Sequence, residues 1–300
     1  MKQFLGIDLG GTAIKYSLMY EDGTIVHPQS IPTPKDSLDS LYQAFDAIIL
    51  PIKHLISGIA MSMPGRIDPQ SGFIYTGGAI SSYMTNVPFK QLMEERYQLP
   101  VAIENDGKCA AHAELWKGAL KDVDSGVVVI IGTGIGGGIV LQRKVWRGLH
   151  CSAGELSYIL TDFHFDKDPV FWGFRNGVNA LIAPYAEKKG LDFHSVNGKD
   201  FFDALHKHDA DAEEIFNQYI TSMRSGLLTI QSILDVEKFC IGGGISAQDI
   251  LIESIQKSVS GYFETAPDYV AMIQPEISRC QFKNDANLIG ALKNFIDIHG

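Results

Sequence analysis

The sequence is poor in cysteine, in basic residues and in long hydrophobic runs, and each shortage excludes a class of protein. Four cysteines are scattered through 300 residues without a C-x-x-C pair: Cys109, Cys151, Cys240 and Cys280. This scattered pattern is more typical of free thiols in a reducing compartment than of cysteines paired in a disulfide framework. We therefore expect a cytoplasmic protein with free cysteines.

Lysine and arginine number 25 against 35 aspartates and glutamates, which gives a formal net charge of -10. This balance argues against a nucleic acid or an anionic membrane as a partner. The longest apolar run, residues 126–142, is rich in glycine and shorter than a membrane span. The apolar run at the N-terminus is short and is interrupted by Asp8, so we expect neither a signal peptide nor a membrane anchor. Because 45% of the residues are hydrophobic and 20% are charged, the chain can form the core of two domains or one large one.

Glycine, by contrast, is concentrated in turns. The stretch GVVVIIGTGIGGGIVLQ, residues 126–142, contains a G-x-G-x-x-G pattern at Gly132, Gly134 and Gly137. A dinucleotide-binding loop with this pattern must open directly into a helix. Here a short apolar, β-branched run and a basic turn follow the glycines, which predicts a second strand and therefore a hairpin. A dehydrogenase is accordingly a remote alternative.

The N-terminal stretch FLGIDLGGTAIKYSLM has the same organisation of strand, glycine-rich turn and strand. Its second strand alternates with period two, which places Ile14, Tyr16 and Leu18 on one face. Each half of the chain thus begins with a glycine-tipped hairpin, and such turns let backbone N–H groups converge on an anion. The alternative is that the glycines only permit tight turns. For the pair of hairpins we favour phosphate binding.

Strands alternate with helices along the rest of the chain, which predicts an α/β protein. One predicted helix extends from about residue 37 to 57, with Pro51 ending or kinking it. The polar segment KDVDS, residues 121–125, indicates a domain boundary. We expect an N-terminal domain over 1–117, completed by the C-terminal helix 286–300, and a C-terminal domain over 118–285.

Three segments carry candidate functional residues. In AIENDGKCAAHAE a strand ends and a helix begins, so Asn105 can cap the helix while Asp106 can accept the proton of an attacking hydroxyl. The alternative is that both residues only serve the helix start. Glu155, in CSAGELSYIL, is by itself typical of an exposed turn. The glycines at 242–244 lie between a strand and a helix, where they allow either close approach of a nucleotide or a tight βα connection.

Six motifs in this order resemble the ROK family of sugar kinases and repressors: GIDLGGT, SMPGRID, ENDGKCAAHAE, IGTGIGGGIV, AGELSY and CIGGGIS. The resemblance covers nearly the whole chain. It implies the actin-like, sugar-kinase and heat-shock-ATPase fold, in which two α/β domains flank an active-site cleft, with ATP and Mg²⁺ bound. The duplicated hairpins would then be the two phosphate loops. Relatives often form dimers, so we expect a homodimer.

The resemblance also implies roles for individual residues. Asp106 matches the general base, Asn105 and Glu155 match sugar ligands, and Pro64 and Gly65 match the loop that closes one side of the sugar pocket. The implied phosphate and nucleotide ligands are Asp8, linked to magnesium, Gly10, Gly11 and Thr12 in the first loop, Gly132, Thr133, Gly134 and Gly136 in the second, and Gly242, Gly243 and Gly244 on the adenosine side.

The sequence departs from the family pattern just after the glutamate. The family has G-E-x-G-H, whose histidine binds the sugar and a structural zinc, whereas Tyr158 stands at the histidine position here. Val170, Trp172 and Val178 fall roughly where zinc-binding cysteines would stand, so we expect no structural zinc. Apolar packing of the three aromatic residues in FWGF, residues 171–174, is expected to hold this loop instead.

This departure bears on the substrate. Family members without the zinc motif include kinases of β-glucosides, and Tyr158 and Trp172 can stack on a second sugar ring. We therefore expect phosphorylation of the 6-hydroxyl of a glucosyl unit, in a β-linked disaccharide such as cellobiose. The alternative is that Tyr158 is a neutral replacement in a glucokinase, fructokinase or N-acetylmannosamine kinase.

Two non-catalytic classes are further alternatives. A repressor of this family carries a helix-turn-helix ahead of the first phosphate strand, and we expect no room for one because that strand begins near Gln3. A sugar sensor that has lost catalysis is disfavoured by the presence of Asp106 and both glycine loops.

Overall fold

The computed structural model describes residues 2–161 and 170–300, which form two compact units. Unit 1 comprises Met1–Lys121, Val145–Ala153 and Asn284–Gly300, and unit 2 comprises Asp122–Lys144 and Gly154–Lys283. The segment Val145–Ala153, which the sequence placed in the C-terminal domain, thus belongs to unit 1. We call it the return segment.

The helices and strands alternate along the chain. In order they are β1 (Gln3–Leu9), β2 (Ala13–Tyr20), β3 (Ile25–Pro32), α1 (Leu38–Ile49), β4 (Ile59–Met63), β5 (Arg66–Asp68), β6 (Phe73–Thr76), α2 (Phe89–Tyr97), β7 (Val101–Asn105), α3 (Asp106–Lys117), β8 (Gly126–Ile131), β9 (Ile135–Leu141), β10 (Lys144–Trp146), α4 (Trp172–Asn176), α5 (Asn179–Lys189), α6 (Gly198–His206), α7 (Ala210–Leu234), β11 (Lys238–Gly243), α8 (Asp249–Thr265), β12 (Glu276–Arg279) and α9 (Ala286–His299).

Unit 1 contains a five-stranded sheet with the strand order β3-β2-β1-β4-β7. The strands β1, β4 and β7 are parallel, so their carboxyl ends meet at one edge of the sheet. Helix α9 packs on these three strands and on α3. The buried cluster on the sheet includes Leu5 and Ile7 of β1, Phe45 of α1 and Phe89 of α2. Burial of such apolar side chains is the main stabilising term of the unit.

Strand β2 shows the predicted alternation. Ile14 is buried in this cluster, and the half-buried Tyr16 and Leu18 pack against the same cluster. Ser17 and Met19, which alternate with them, are also buried. The pairing of β2 with β3 changes register between Tyr16 and Leu18, where β3 carries an extra residue.

Of the two outcomes expected at Pro51 in the predicted helix over 37–57, the structure shows an end to the helix and not a kink. Ser37 caps α1 by accepting a hydrogen bond from the backbone N–H of Ser40, and the helix ends at Ile49. Pro51 follows shortly, and a 3₁₀ turn occupies Lys53–Leu55. Proline has no N–H to donate and restricts the residue before it, which explains the early end.

Unit 2 is built on the strands β9-β8-β11-β12, in that spatial order. The pair β8–β9 is antiparallel, which confirms the predicted hairpin, while β8, β11 and β12 are parallel. Helix α6, for which we made no prediction, begins with a capping box between Asn197 and Asp200. Within residues 2–161 and 170–300, no helix combines the length and apolar character needed to cross a bilayer.

Candidate active site

Carboxylates collect at the carboxyl edge of the parallel strands in unit 1. Asp8 of β1 lies opposite Ser62 of β4, and Ser62 lies opposite Glu104 of β7. Asn105 and Asp106 follow at once, at the junction of β7 with α3. In open α/β sheets, ligands bind beyond this edge, because loops and helix N-termini converge there.

Asp8 is buried but hydrogen-bonded. Its Oδ1 accepts hydrogen bonds from Ser62 Oγ and Asn287 Nδ2, each at 3.0 Å. Burial raises the pKa of this carboxyl, although the two hydrogen bonds and Lys15 act in the opposite direction. Asn287 belongs to α9, so the C-terminal helix contributes directly to this site.

The first glycine turn joins β1 to β2. The backbone N–H of Gly10 donates to Ala13 O at 3.0 Å, and Thr33 Oγ1 donates to Gly10 O at 2.6 Å. A Cβ atom on Gly11 would lie 2.6 Å from Ala79 Cβ. The turn that contains Gly10, Gly11 and Thr12 is therefore anchored by Thr33 and closely packed beside Gly11.

Asn105 and Asp106 have the helix-start geometry predicted from the sequence. Asn105 Oδ1 accepts a hydrogen bond from the backbone N–H of Lys108 at 3.1 Å, which confirms it as the N-cap of α3. Asp106 Oδ1 accepts from the backbone N–H of Gly107 at 2.8 Å and from Asn105 Nδ2 at 3.0 Å. The orientation of the Asp106 carboxylate is thus determined by the helix start and by its neighbour Asn105.

The Pro64–Gly65 turn is joined to the same point. Asn105 Nδ2 donates to Gly65 O at 3.0 Å. Gly65 has φ +105°, and a Cβ atom there would lie 1.9 Å from Thr76 O, so only glycine fits. In unit 1 the structure thus brings together Pro64, Gly65, Asn105 and Asp106.

The second glycine turn, between β8 and β9, belongs to unit 2. The backbone N–H of Gly132 donates to Gly134 O at 2.9 Å, and Ser157 Oγ accepts from the N–H of Ile135 at 2.9 Å. Gly132, Thr133 and Gly136 are exposed. Within the described part of the chain, no side chain covers these three exposed residues, so a ligand can reach the backbone of the turn.

The glycines Gly242, Gly243 and Gly244 serve different purposes. A Cβ on Gly242 would lie 2.6 Å from Ile130 Cδ1. Gly243 has φ +93°, and a Cβ there would lie 2.1 Å from Ile131 O, so the packing requires glycine at both positions. A Cβ on Gly244 would meet nothing within 4 Å. Since Gly243 pairs with Ile131, Gly244 lies beside the end of β8, where the second glycine turn begins. Gly244 therefore borders open space at the edge where a nucleotide is expected.

Glu155 and Tyr158 also belong to unit 2. Glu155 is half-buried and precedes the 3₁₀ turn Leu156–Tyr158, whose last N–H donates to Glu155 O at 3.2 Å. The side chain of Tyr158 is 67% exposed, and its ring meets that of Phe171 edge-on, with centroids 5.7 Å apart. An exposed aromatic ring can stack on an apolar sugar face.

Trp172 cannot take the stacking role expected from the sequence. It is fully buried, and its indole ring packs against the Cα of Gly226 in α7. The expected packing of the FWGF segment is right for Trp172, and the half-buried Phe171 contacts Phe174 with ring centroids 6.3 Å apart, although Phe174 itself is 77% exposed. The large indole fits the gap that Gly226 leaves on the long helix, and this sequestered position excludes contact with a sugar.

The zinc prediction stays a prediction. Within residues 2–161 and 170–300, no three His, Cys, Asp or Glu side chains are grouped as metal ligands. The Val170, Trp172 and Val178 positions lie in this described part, whereas residues 162–169 lie outside it.

Sequence reasoning missed a cluster of three buried polar side chains around the half-buried Arg147, close to Asn105. Arg147, in the return segment, donates from Nε to Glu104 Oε2 at 2.6 Å and from one terminal nitrogen to His112 Nε2 at 2.9 Å and Asn294 Oδ1 at 3.1 Å. We call Glu104, His112, Arg147 and Asn294 the arginine cluster. The only signal in the sequence was Glu104 itself, a charged residue within the otherwise apolar strand VAIEN.

Known proteins resemble this chain over nearly its whole length. The family model that matches residues 4–297 is the ROK family. A β-glucoside kinase of Klebsiella pneumoniae is 32% identical over 97% of this chain and 95% of its own length. A glucokinase of Halalkalibacterium halodurans is 30% identical over 86% of each chain. The crystal structure of a ROK family protein from Streptococcus pneumoniae TIGR4 in complex with sucrose has a TM-score of 0.88 and 29% identity, and the match covers 98% of each chain.

Proposed function

The chain belongs to the ROK family, and from that premise we propose that it transfers the γ-phosphoryl group of ATP to the 6-hydroxyl of a glucosyl unit in a β-linked disaccharide such as cellobiose. Its fold is the actin-like, sugar-kinase fold of that family. It is a carbohydrate kinase, as the relatives named β-glucoside kinase and glucokinase indicate. The particular sugar is the finer part of the proposal.

The observation that supports a kinase most directly is the orientation of Asp106. Its carboxylate lies at the carboxyl edge of the parallel strands, and Gly107 and Asn105 both donate to its Oδ1. We assign Asp106 as the general base: it accepts the proton of the sugar hydroxyl while that oxygen attacks the γ-phosphorus and the bond to ADP breaks. Asn105 and Glu155 are assigned to hold the sugar ring, which supplies the proximity that this reaction needs.

The two glycine turns suit the phosphates of ATP. Backbone N–H groups in such turns bind anions without interference from side chains. Asp8 suits Mg²⁺, because its buried carboxylate is oriented by Ser62 and Asn287 and a hard cation prefers oxygen ligands. When bound, Mg²⁺ would offset negative charge on the phosphates. The open space beside Gly244 is assigned to the nucleoside.

Tyr158 supports a substrate with a second sugar ring. It replaces the histidine that contacts the sugar in the family pattern, and its ring is largely exposed beside Phe171. The related Streptococcus pneumoniae protein was crystallised with sucrose, so a disaccharide binds to one member of the family. We assign the ring of Tyr158 to the second sugar of a β-glucoside.

A glucokinase is the second candidate, because the Halalkalibacterium halodurans relative carries that name. The test is an ATP-coupled assay on glucose, fructose, N-acetylmannosamine, cellobiose and gentiobiose. We expect kcat/KM to be at least about tenfold higher for a β-linked disaccharide than for any monosaccharide, a preference of about 1.4 kcal/mol. Turnover of monosaccharides alone would remove the disaccharide assignment and leave the kinase class standing. Absence of turnover with every sugar would contradict the kinase itself.

A further inference from the structure

The arginine cluster lies behind the strand end that carries the proposed base. Glu104 is fully buried, and besides pairing with Arg147 its Oε1 accepts a hydrogen bond from the backbone N–H of Asn105 at 2.9 Å. Asn105 in turn donates to Asp106 Oδ1. A continuous series of hydrogen bonds therefore runs from the Arg147 guanidinium to the carboxylate of Asp106.

Arg147 is shaped for this position. Its planar guanidinium satisfies three acceptors on three different elements: Glu104 on β7, His112 on α3 and Asn294 on α9. His112 accepts through Nε2, which requires the neutral ring, and burial together with Arg147 lowers the pKa of His112 to about 3. A lysine could neutralise Glu104, but it could not hold all three acceptors in one plane.

The cluster also joins the return segment to these elements. Arg147 lies in that segment and Ala153 N donates back to Arg147 O at 3.0 Å, so the segment is closed on itself around Arg147. A second contact, from Arg66 to His150 O, is long at 3.5 Å. The ion pair with Glu104, at 2.6 Å and with the carboxylate fully buried, is the stronger connection of the two.

We propose that Arg147 is a positioning residue for phosphoryl transfer, which holds Glu104 and through it the Asn105 backbone, so that Asp106 faces the sugar hydroxyl correctly. This inference rests on the proposed function. A displacement of about 1 Å at a reacting group can cost about a hundredfold in rate. The three-acceptor arrangement of Arg147 therefore matters more than its charge.

The test compares Arg147→Lys, Arg147→Met and the double variant Glu104→Gln/Arg147→Met with the wild-type enzyme. We expect Arg147→Lys to lower kcat by about 10- to 100-fold while the KM for sugar changes less than about threefold. Arg147→Met should also unfold more easily, because it leaves a buried carboxylate unpaired. The double variant removes that charge, so its thermal stability should recover while kcat stays low. Recovery of kcat together with stability would overturn the proposal.

Amide hydrogen exchange of the peptide containing residues 104–108 provides a readout that needs no activity. We expect faster exchange in Arg147→Lys than in wild type, since the N–H groups of Asn105 and Lys108 depend on this arrangement. Unchanged exchange, or faster exchange with kcat within twofold of wild type, would each overturn the proposal. If wild type phosphorylates no sugar, the proposed function fails, while exchange still reports whether Arg147 holds this strand end.

Arg96→Met is the matched control. Arg96 also pairs with a carboxylate in unit 1, that of Asp46, here through two nitrogens, but its side chain is 42% exposed and it lies on α2. We expect this variant to leave kcat, KM and exchange over 104–108 unchanged. A loss of kcat equal to that of Arg147→Lys would show that any lost ion pair in the unit impairs turnover, and would overturn the assignment to Arg147.

Discussion

Asn105 Nδ2 and Gly65 O are hydrogen-bonded at 3.0 Å, and this contact joins the end of β7 to the Pro64–Gly65 turn. The same side chain caps α3 and donates to Asp106. One asparagine therefore connects the proposed base, the helix that orients it and the turn assigned to the sugar pocket. The proposed chemistry depends on this small group of residues.

Replacement of the proposed base is the first prediction. Asp106→Asn retains the size of the side chain but cannot accept the hydroxyl proton, so kcat should fall by roughly two to four orders of magnitude. Sugar binding, measured by calorimetry, should persist. The matched control is Asp39→Asn, an exposed acid in the first turn of α1. If Asp106→Asn turns over almost as fast as wild type, the base lies elsewhere.

The second prediction concerns the turn at Gly65. In Gly65→Ala the added Cβ would meet Thr76 O at 1.9 Å in a backbone with φ +105°, so the turn must move. We expect a loss of about 1–3 kcal/mol in the free energy of unfolding, measured in urea, and a raised KM for sugar. Gly261→Ala is the control, because its Cβ meets nothing within 4 Å in helix α8. Equal stability of Gly65→Ala and Gly261→Ala would contradict this account.

The third prediction distinguishes the role of Gly244 in nucleotide binding from the role of Gly243 in packing. Gly244→Val should leave the melting temperature nearly unchanged, since open space surrounds that position, but should raise the KM for ATP about tenfold. Gly243→Ala should instead destabilise unit 2, because its Cβ would lie 2.1 Å from Ile131 O. An unchanged KM for ATP in Gly244→Val would place the nucleoside elsewhere.

Tyr158 provides the fourth prediction. If its ring stacks on a second sugar, Tyr158→Ala should raise the KM for cellobiose by about five- to tenfold, equivalent to roughly 1 kcal/mol of ring contact, and leave that for glucose unchanged. Tyr269→Ala is the control, since Tyr269 is also highly exposed. Equal changes in KM for both sugars would exclude a specific role at the second ring.

The fifth prediction is a pH dependence of stability. The pKa of His112 falls from the usual 6.5 to about 3 in the folded protein, chiefly through burial. The unfolded chain therefore binds a proton at a higher pH, and the free energy of unfolding should decrease as the pH drops below about 6.5. The slope contributed by this group is at most about 1.4 kcal/mol per pH unit.

His112→Gln should remove this contribution, because glutamine does not titrate but can still accept from Arg147. Urea unfolding at pH 7 and pH 5 measures the difference between variant and wild type. The raised pKa of Asp8 acts in the opposite direction in both proteins, so the comparison isolates His112. The exposed His54→Gln serves as control. An identical pH slope in wild type and His112→Gln would contradict the linkage.

Local patterns in the sequence determined much of this protein. The hairpin of β8 and β9 can be predicted from the local sequence, because two β-branched runs separated by a short glycine-rich segment favour two strands joined by a turn. The cap at Asn105 follows equally, because an N-cap bonds to an amide only three residues away. The family motifs are likewise local, and they indicated the carbohydrate kinase class.

Only the tertiary structure decided which distant residues meet. Nothing in VAIEN indicates that the partner of Glu104 is Arg147, 43 residues away, or that a segment after β9 returns to unit 1. Trp172 appeared suited to a sugar, but the gap at Gly226 of α7 buries it. Short-range hydrogen bonding and side-chain periodicity act within a few residues and can be read along the chain. Burial and charge pairing depend on which surfaces pack together, and that depends on the whole fold.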